Sequence, residues 1–188
     1  SRYGTLTLED GAVLRNCKSQ YYAGGAVGLF AGTSEFVMNG TARMEDNEAD
    51  YGGGVYVANI LAAFTMNGGT ISGNSGPCGA VQVHKDSAKF IMNSGEVTGN
   101  TSTTGGEAGI YVEAKTPTVE LNAGKAQSVT LAANVSASPS KGHIYISDRF
   151  DLESGLVDMV QDAKTVTPAA DSLDIKLGNA SADSVTAL

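Results

Sequence analysis

The sequence contains no tryptophan, only two cysteines and four prolines among its 188 residues, and few basic side chains. Twelve lysines and arginines stand against twenty acidic residues, which gives a formal net charge of -8. Binding to a phosphate backbone needs clustered positive charge, so we expect no nucleic-acid partner. No apolar run approaches the roughly 18 residues that a membrane helix needs. We therefore expect no membrane insertion of this segment.

The two cysteines, Cys17 and Cys78, form neither a C-x-x-C zinc motif nor a dense disulfide framework. The acidic stretch MEDNEADY (44–51) offers oxygen ligands of the kind calcium takes, but it lacks the D-x-[DN]-x-[DN]-G spacing and is more typical of a solvated turn. We predict no metal and no cofactor. No charged leader with an apolar core precedes Ser1, so we expect a soluble piece of a larger protein with other domains.

What the sequence does contain is a repeat with a period near 28 residues: FVMNGTARMEDNEADYGGGV (36–55) and FTMNGGTISGNSGPCGAV (64–81) have the same order of residue classes. One motif places an apolar residue two before a Met or Leu, at Phe36, Phe64, Phe90 and Val119. A second places an aliphatic residue three before an asparagine, at Val13, Met44, Ile71, Val97 and Leu131. A third begins a short alternating run at Val27, Val55, Val81, Ile110 and Ile144. Such a period is typical of a solenoid.

Each motif alternates apolar and other residues, as in GVYVA and GIYVE, and this period of two is typical of a half-buried β-strand. Glycine, asparagine and serine separate the runs, and no capped amphipathic helix is evident before about residue 155. The predicted fold class is all-β: a three-faced parallel β-helix of about five coils, roughly 24 Å long, over residues 1–150. Residues 151–188 are predicted to form a C-terminal partial coil or cap, or to begin a following module.

This arrangement assigns the motif residues to the interior and the asparagines to the corners. Two corner ladders are expected, in which each amide bonds the next coil. Their members are Asn39, Asn67, Asn93 and Asn122, and Asn16, Asn47, Asn74, Asn100 and Asn134. Cys17 and Cys78 lie two coils apart in this arrangement, and roughly 9.6 Å exceeds the roughly 7 Å limit on Cα separation in a disulfide. We expect both to be thiols.

The motifs resemble repeats of large bacterial surface proteins. Val13 to Asn16 with GGAV (24–27), Ile71 to Asn74 with CGAV (78–81) and Val97 to Asn100 with the imperfect GGEAGI (105–110) are similar to the FxxN and GGA[ILV] pair of chlamydial-type polymorphic membrane proteins, whose passengers are β-helical adhesins. Here an aliphatic residue replaces the Phe. The F-x-M-N-G-G-x-I-x-G-N cadence is similar to β-helix repeats in surface and secreted proteins of gut-dwelling Gram-positive bacteria.

The resemblance covers roughly residues 4–147. It implies a right-handed, pectate-lyase-like solenoid that is extracellular, at the cell surface or secreted, with an adhesin-like function. The implied partner is a host glycan or a host protein. The simpler alternative is that the segment is a stalk that spaces another domain from the cell. A fold of this kind hosts many activities, so the resemblance bears on architecture more than on function.

The outward positions of the third motif hold the candidate ligand-binding residues. One predicted column contains Gly28, Tyr56, Gln82, Tyr111 and Tyr145, and the next contains Phe30, Ala58, His84, Glu113 and Ser147. Tyrosines in a column form a shallow ridge suited to a sugar or a protein partner, although exposed tyrosines are also common on strands because they suit a pleated surface. The candidate site comprises Tyr56, Gln82, His84, Tyr111, Glu113 and Tyr145.

Catalysis is the alternative. β-Helices of the pectate-lyase kind are often polysaccharide lyases or glycoside hydrolases, and glycoside hydrolysis uses two converging carboxylates. Glu113 is the one acidic residue in the two columns, so the pattern favours a non-enzymatic module and we assign no catalytic residue. If the protein is a carbohydrate-active enzyme, the residues that discriminate are Glu113, His84 and Lys85.

Overall fold

The computed structural model describes residues 3–104 and 108–121 and, beyond them, the strand backbone of 129–132, 135–136, 144–146, 156–158 and 175–177; at 21–22 the strand backbone alone is described. The chain is a parallel β-solenoid of about four turns. All strand pairs are parallel, and each strand pairs with strands about one repeat away in the sequence. The described residues contain no helix, and so none that could cross a membrane.

The strands form three sheets. The six-stranded sheet contains β4 (Val27–Leu29), β8 (Val55–Val57), β11 (Val81–Val83), β14 (Ile110–Val112), β18 (Ile144–Ile146) and β20 (Ile175–Leu177). The nine-stranded sheet contains β1 (Thr5–Leu8), β2 (Val13–Arg15), β5 (Glu35–Met38), β6 (Arg43–Glu45), β9 (Ala63–Ser72), β12 (Lys89–Thr98), β15 (Thr118–Leu121), β16 (Val129–Ala132) and β19 (Leu156–Asp158). The five-stranded sheet contains β3 (Lys18–Ala23), β7 (Glu48–Tyr51), β10 (Ser75–Gly76), β13 (Thr101–Ser102) and β17 (Val135–Ser136).

The predicted all-β solenoid is confirmed, but its faces are divided differently. The first and second motifs do not form separate faces, because β9 and β12 each run through both motifs as one ten-residue strand. Between the two motifs the register of β12 against β9 shifts from Met92 to Glu96, and Gly69 and Gly95 have φ angles of 89° and 113°, in the left-handed region that favours glycine. The third sheet follows the second asparagine corner, where the sequence predicted only a turn.

The registers of the first and third motifs are confirmed. Phe36, Phe64 and Phe90 lie opposite one another in successive coils, and their rings stack at centroid distances of 4.8 and 5.0 Å. Val27, Val55, Val81, Ile110 and Ile144 are likewise in register. These three phenylalanines are fully buried, so identical side chains form a continuous column through the core.

The second motif was assigned one residue too early in the first coil. Leu14, rather than Val13, lies opposite Met44. The same shift puts Cys17, rather than Asn16, at the head of the buried ladder, where its N–H donates to Asn47 Oδ1 at 3.0 Å. The ladder continues through Asn74 and Asn100. Cys17 and Cys78 are both thiols, as predicted.

The end of the solenoid lies mostly outside the described residues. The predicted boundary at residue 150, the coil count of about five and the cap or module at 151–188 are therefore not described as a whole. Within 151–188, β19 pairs with β15 and β20 pairs with β18. These two strands extend the sheets of the preceding coils in parallel.

Candidate functional site

The six-stranded sheet presents the predicted tyrosine column in register. Its strands turn Val55, Val57, Val81 and Val83 inward, where they are fully buried. In β4, β8, β11 and β14 the middle residue therefore lies on the outer face. These four residues are Gly28, Tyr56, Gln82 and Tyr111, each directly opposite the next, and Tyr145 lies opposite Tyr111 in the backbone register.

Three rings from successive coils, the ring line, follow one another on this face. The Tyr56 ring lies 5.8 Å from the Phe30 ring and 5.3 Å from the His84 ring, measured between centroids. Gly28 permits this arrangement, because a Cβ at that position would clash with Phe30 Cε2. The Phe30 ring folds back over the bare glycine of the first coil towards Tyr56. Tyr51, at the end of β7, flanks the line, with its ring 6.3 Å from that of Tyr56.

Glu113 joins two coils at the centre of the face. Its Oε2 accepts a hydrogen bond from Gln82 Nε2 at 2.8 Å and lies 2.6 Å from His84 Nδ1. A carboxylate oxygen accepts, so His84 Nδ1 carries a proton. In the neutral imidazole the other nitrogen, Nε2, is then an acceptor. The His84 and Glu113 side chains are 24% and 21% exposed, so both remain accessible to a ligand.

Burial and neighbouring charge change the acidity of Tyr56. Burial, followed by the negative charge of Glu113, raises the pKa of Tyr56 to about 12. The phenol is therefore neutral at physiological pH and keeps its O–H as a hydrogen-bond donor.

Gln82 is enclosed although it lies on the outer face. The residue is 1% exposed, and no described group donates a hydrogen bond to its Oε1, which is fully buried. The amide is oriented by the bond from Nε2 to Glu113, because a flipped amide would direct two acceptors at each other. A buried acceptor without a donor is costly and calls for an explanation.

The structure brings five of the six candidate residues together. Tyr56, Gln82, His84 and Glu113 are linked by direct contacts, and Tyr111 lies opposite Gln82 and is half-buried. Tyr145 lies opposite Tyr111 in the backbone register, but its side chain is outside the described residues. The predicted exposed ridge is wrong at two positions, since Tyr56 is 8% and Gln82 1% exposed.

Two aromatic residues of the cluster were missed in the sequence. Phe30 and Tyr51 are 52% and 50% exposed and flank Tyr56. The signal for Phe30 was the missing side chain at Gly28, which leaves room for a ring from the next column. No comparable signal identified Tyr51, because it belongs to the five-stranded sheet, whose existence the sequence did not predict.

The acidic stretch 44–51 does not converge on one point. Glu48 forms a salt bridge with Lys18 at 2.7 Å, and Glu45 forms one with Arg43 at 3.2 Å. Within the part of the chain that the structure describes, no group of three or more His, Cys, Asp or Glu side chains is placed to hold a metal ion. Lys85 is exposed at the corner that follows β11.

The fold and the site together define a parallel β-solenoid with an aromatic and polar cluster on one outer face. No protein-family model, curated protein or solved structure matches the chain.

Proposed function

We propose that the chain is an adhesin-like module of a bacterial extracellular protein, at the cell surface or secreted, and that the outer face of its six-stranded sheet binds a host glycan or host protein. The cluster of Phe30, Tyr51, Tyr56, His84 and Glu113 supports this proposal. It combines two half-exposed aromatic rings with accessible polar groups on one outer face. Binding sites of this composition use apolar rings for contact area and a few polar groups for orientation. The repeat resemblance to bacterial surface proteins supports the location.

One observation carries the proposal: the Glu113 carboxylate holds Gln82 and His84, which lie one coil away from it, in fixed positions beside the ring line. A purely structural stack needs the same contact in every coil. This cluster is instead assembled from different residue types in each coil. A binding site needs specific side chains at specific positions, so its residues differ from those that repeat in every coil.

Glycan arrays together with mucin and immunoglobulin preparations test the proposal. We expect the intact chain to bind at least one of these ligands and the double variant Phe30→Ala, Tyr51→Ala to lose most of that binding. Tyr3→Ala is the matched control, because Tyr3 is an exposed aromatic residue that precedes β1 of the nine-stranded sheet. If the double variant and the control bind equally well, the binding site lies on another surface of the chain. If the intact chain binds none of these ligands, only the stalk role remains.

A carbohydrate-active enzyme is the second candidate, favoured by the 2.6 Å contact between His84 and Glu113. A histidine oriented by a carboxylate is a recurrent general base. Polysaccharide lyase and glycoside hydrolase assays against pectins, host glycans and plant polysaccharides test it. Turnover that Glu113→Gln lowers by about a hundredfold would support catalysis. Absence of turnover on all substrates would remove this candidate.

A further inference from the structure

The spacing of the ring line suits a linear sugar chain. Phe30, Tyr56 and His84 follow one another at 5.8 and 5.3 Å, close to the roughly 4.8 Å separation of neighbouring coils. One pyranose unit of an extended β-linked oligosaccharide has a similar length. Such a chain lying parallel to the solenoid axis would therefore place one sugar over each coil. A chain lying across the coils would meet the line at one coil only.

The unpartnered acceptor of Gln82 points to a ligand that donates hydrogen bonds. Because Nε2 is held by Glu113, Oε1 lies on the other side of the amide. Among the described residues no donor meets it, and sugar hydroxyls are donors of the right size. Oε1 is enclosed in the ligand-free chain, so a hydroxyl would reach it only after neighbouring side chains change rotamer, a change that is common at binding surfaces.

The charge of the site selects against acidic ligands. Glu113 contributes a carboxylate at the centre of the face, and the whole chain has a formal net charge of -8. A uronate or sialate in this position would meet like charge at short range, which is unfavourable in a partly desolvated site. Neutral hydroxyl groups meet no such repulsion.

We infer that the outer face of the six-stranded sheet binds a neutral, extended oligosaccharide that lies parallel to the solenoid axis, with one sugar unit per coil and one hydroxyl donating to Gln82 Oε1. This inference rests on the proposed function, since it names the ligand class of the same face. Phe30 and Tyr51 supply the exposed rings at one end. His84 and Glu113 supply polar contacts at the other.

Calorimetric titration with β-1,4-linked gluco-, manno- and xylo-oligosaccharides of increasing length, and with galacturonate oligomers of the same lengths, tests the inference. We expect affinity for at least one neutral series to rise with each added unit and to level off near four units, because the solenoid has about four turns. Galacturonate oligomers should bind at least about tenfold more weakly.

If affinity does not depend on the length of the oligosaccharide, the chain does not lie parallel to the solenoid axis. The proposal of a glycan-binding module would still stand. Tighter binding of galacturonates would overturn the neutral ligand class. Binding of a protein and of no carbohydrate would overturn the inference but not the proposed function. Binding of nothing would overturn both.

Gln82→Met tests the role of the Gln82 amide, because it keeps the length of the side chain and removes both Oε1 and the Nε2 that bonds Glu113. We expect about a tenfold loss of affinity for the neutral oligosaccharide, the size expected for one buried hydrogen bond. Thr65→Ala is the control, since Thr65 lies on the nine-stranded sheet, and thermal unfolding of each variant checks the fold. Unchanged affinity in a folded Gln82→Met variant would contradict the role of Oε1.

Discussion

At the scale of single residues, the buried asparagine ladder shows how one side chain serves two coils. Asn74 Oδ1 accepts hydrogen bonds from the backbone and side chain of Asn47 at 3.1 and 2.8 Å. Its Nδ2 donates to Met44 O at 3.1 Å and to Asn100 Oδ1 at 3.0 Å. The side chain thus satisfies corner groups that the sheets leave unpaired.

Asn74→Ala should therefore be strongly destabilising. The substitution leaves at least two buried groups, Asn47 N and Met44 O, without these partners, at a cost of about 1–3 kcal/mol each. We expect the free energy of unfolding, measured by chemical denaturation, to fall by about 3–5 kcal/mol. The matched control is Asn67→Ala, whose exposed amide bonds Asn39 Oδ1 at 3.0 Å and which should cost less than about 1 kcal/mol. Equal losses would mean that the buried ladder has no special role.

Tyr56 gives a second prediction at the residue scale. Burial and then the charge of Glu113 raise its pKa to about 12 from an ordinary value of 10.0. The neutral phenol is favoured by the fold, so this contribution to stability is complete below about pH 10 and is lost as the pH rises through about 12. Ultraviolet absorbance of the phenolate, compared between the intact chain and Tyr56→Phe, should show one tyrosine that ionises near pH 12. A difference that titrates near pH 10 would contradict the enclosed position of this side chain.

At the scale of the strand, apolar columns set the register. Phe64 in β9 is fully buried between Phe36 and Phe90, and Met66 two residues later lies between Met38 and Met92. A slip of one residue would turn both side chains towards solvent. The repeat of identical residues therefore fixes which strands pair and how.

Phe64→Ala and Thr65→Ala test which side chains of β9 face the core and which face outward. Phe64 has no exposed surface, and its loss opens a cavity that stacked neighbours cannot fill, so the free energy of unfolding should fall by about 3–5 kcal/mol. Thr65 points away from the core and is half-buried, and its truncation should cost no more than about 0.5 kcal/mol. Denaturant titration of both variants measures the difference. If the two substitutions cost the same, the facing of this strand is wrong.

Strands in which apolar and other residues alternate could be predicted from the sequence. Strands without this alternation could not. The Phe and Val columns were predictable because their period survives in four or more repeats. The five-stranded sheet was not, because β10 and β13 are two-residue strands made of Ser, Gly and Thr. The shift from Val13 to Leu14 was hidden because both residues are aliphatic. The residues of the candidate site could be predicted because they occupy the outward columns of the third motif. The burial of Tyr56 and Gln82 could not be predicted, because it depends on contacts between side chains of different columns.

At the scale of the whole molecule, shape and charge act together on the proposed ligand. The strands of each sheet pair in parallel from coil to coil, so the outer faces repeat at the coil spacing, and the chain has a formal net charge of -8. A solenoid of this kind offers a linear ligand one contact position on each coil, with different side chains from coil to coil. Its negative field is felt by charged ligands and not by neutral ones.

Binding of a neutral oligosaccharide should therefore depend little on salt. We expect its affinity to change by less than about twofold between low and high ionic strength, because no charge pair is screened. A galacturonate oligomer should bind better as salt is raised, since screening weakens its repulsion. Titration calorimetry at two salt concentrations measures both. A steep loss of neutral-ligand affinity with salt would indicate a charged contact that this account lacks.

The most direct measurement of the central claim is the location of the ligand on the three sheets. Amide chemical shifts of the intact chain, recorded by NMR with and without the best-binding neutral oligosaccharide, give this location residue by residue. If the ligand binds the outer face of the six-stranded sheet, the largest changes fall in Val55–Val57, Val81–Val83 and Ile110–Val112 and in the neighbouring Phe30 and His84. Changes centred on Glu35–Met38 and Ala63–Ser72 of the nine-stranded sheet, with the six-stranded sheet unaffected, would contradict the central claim.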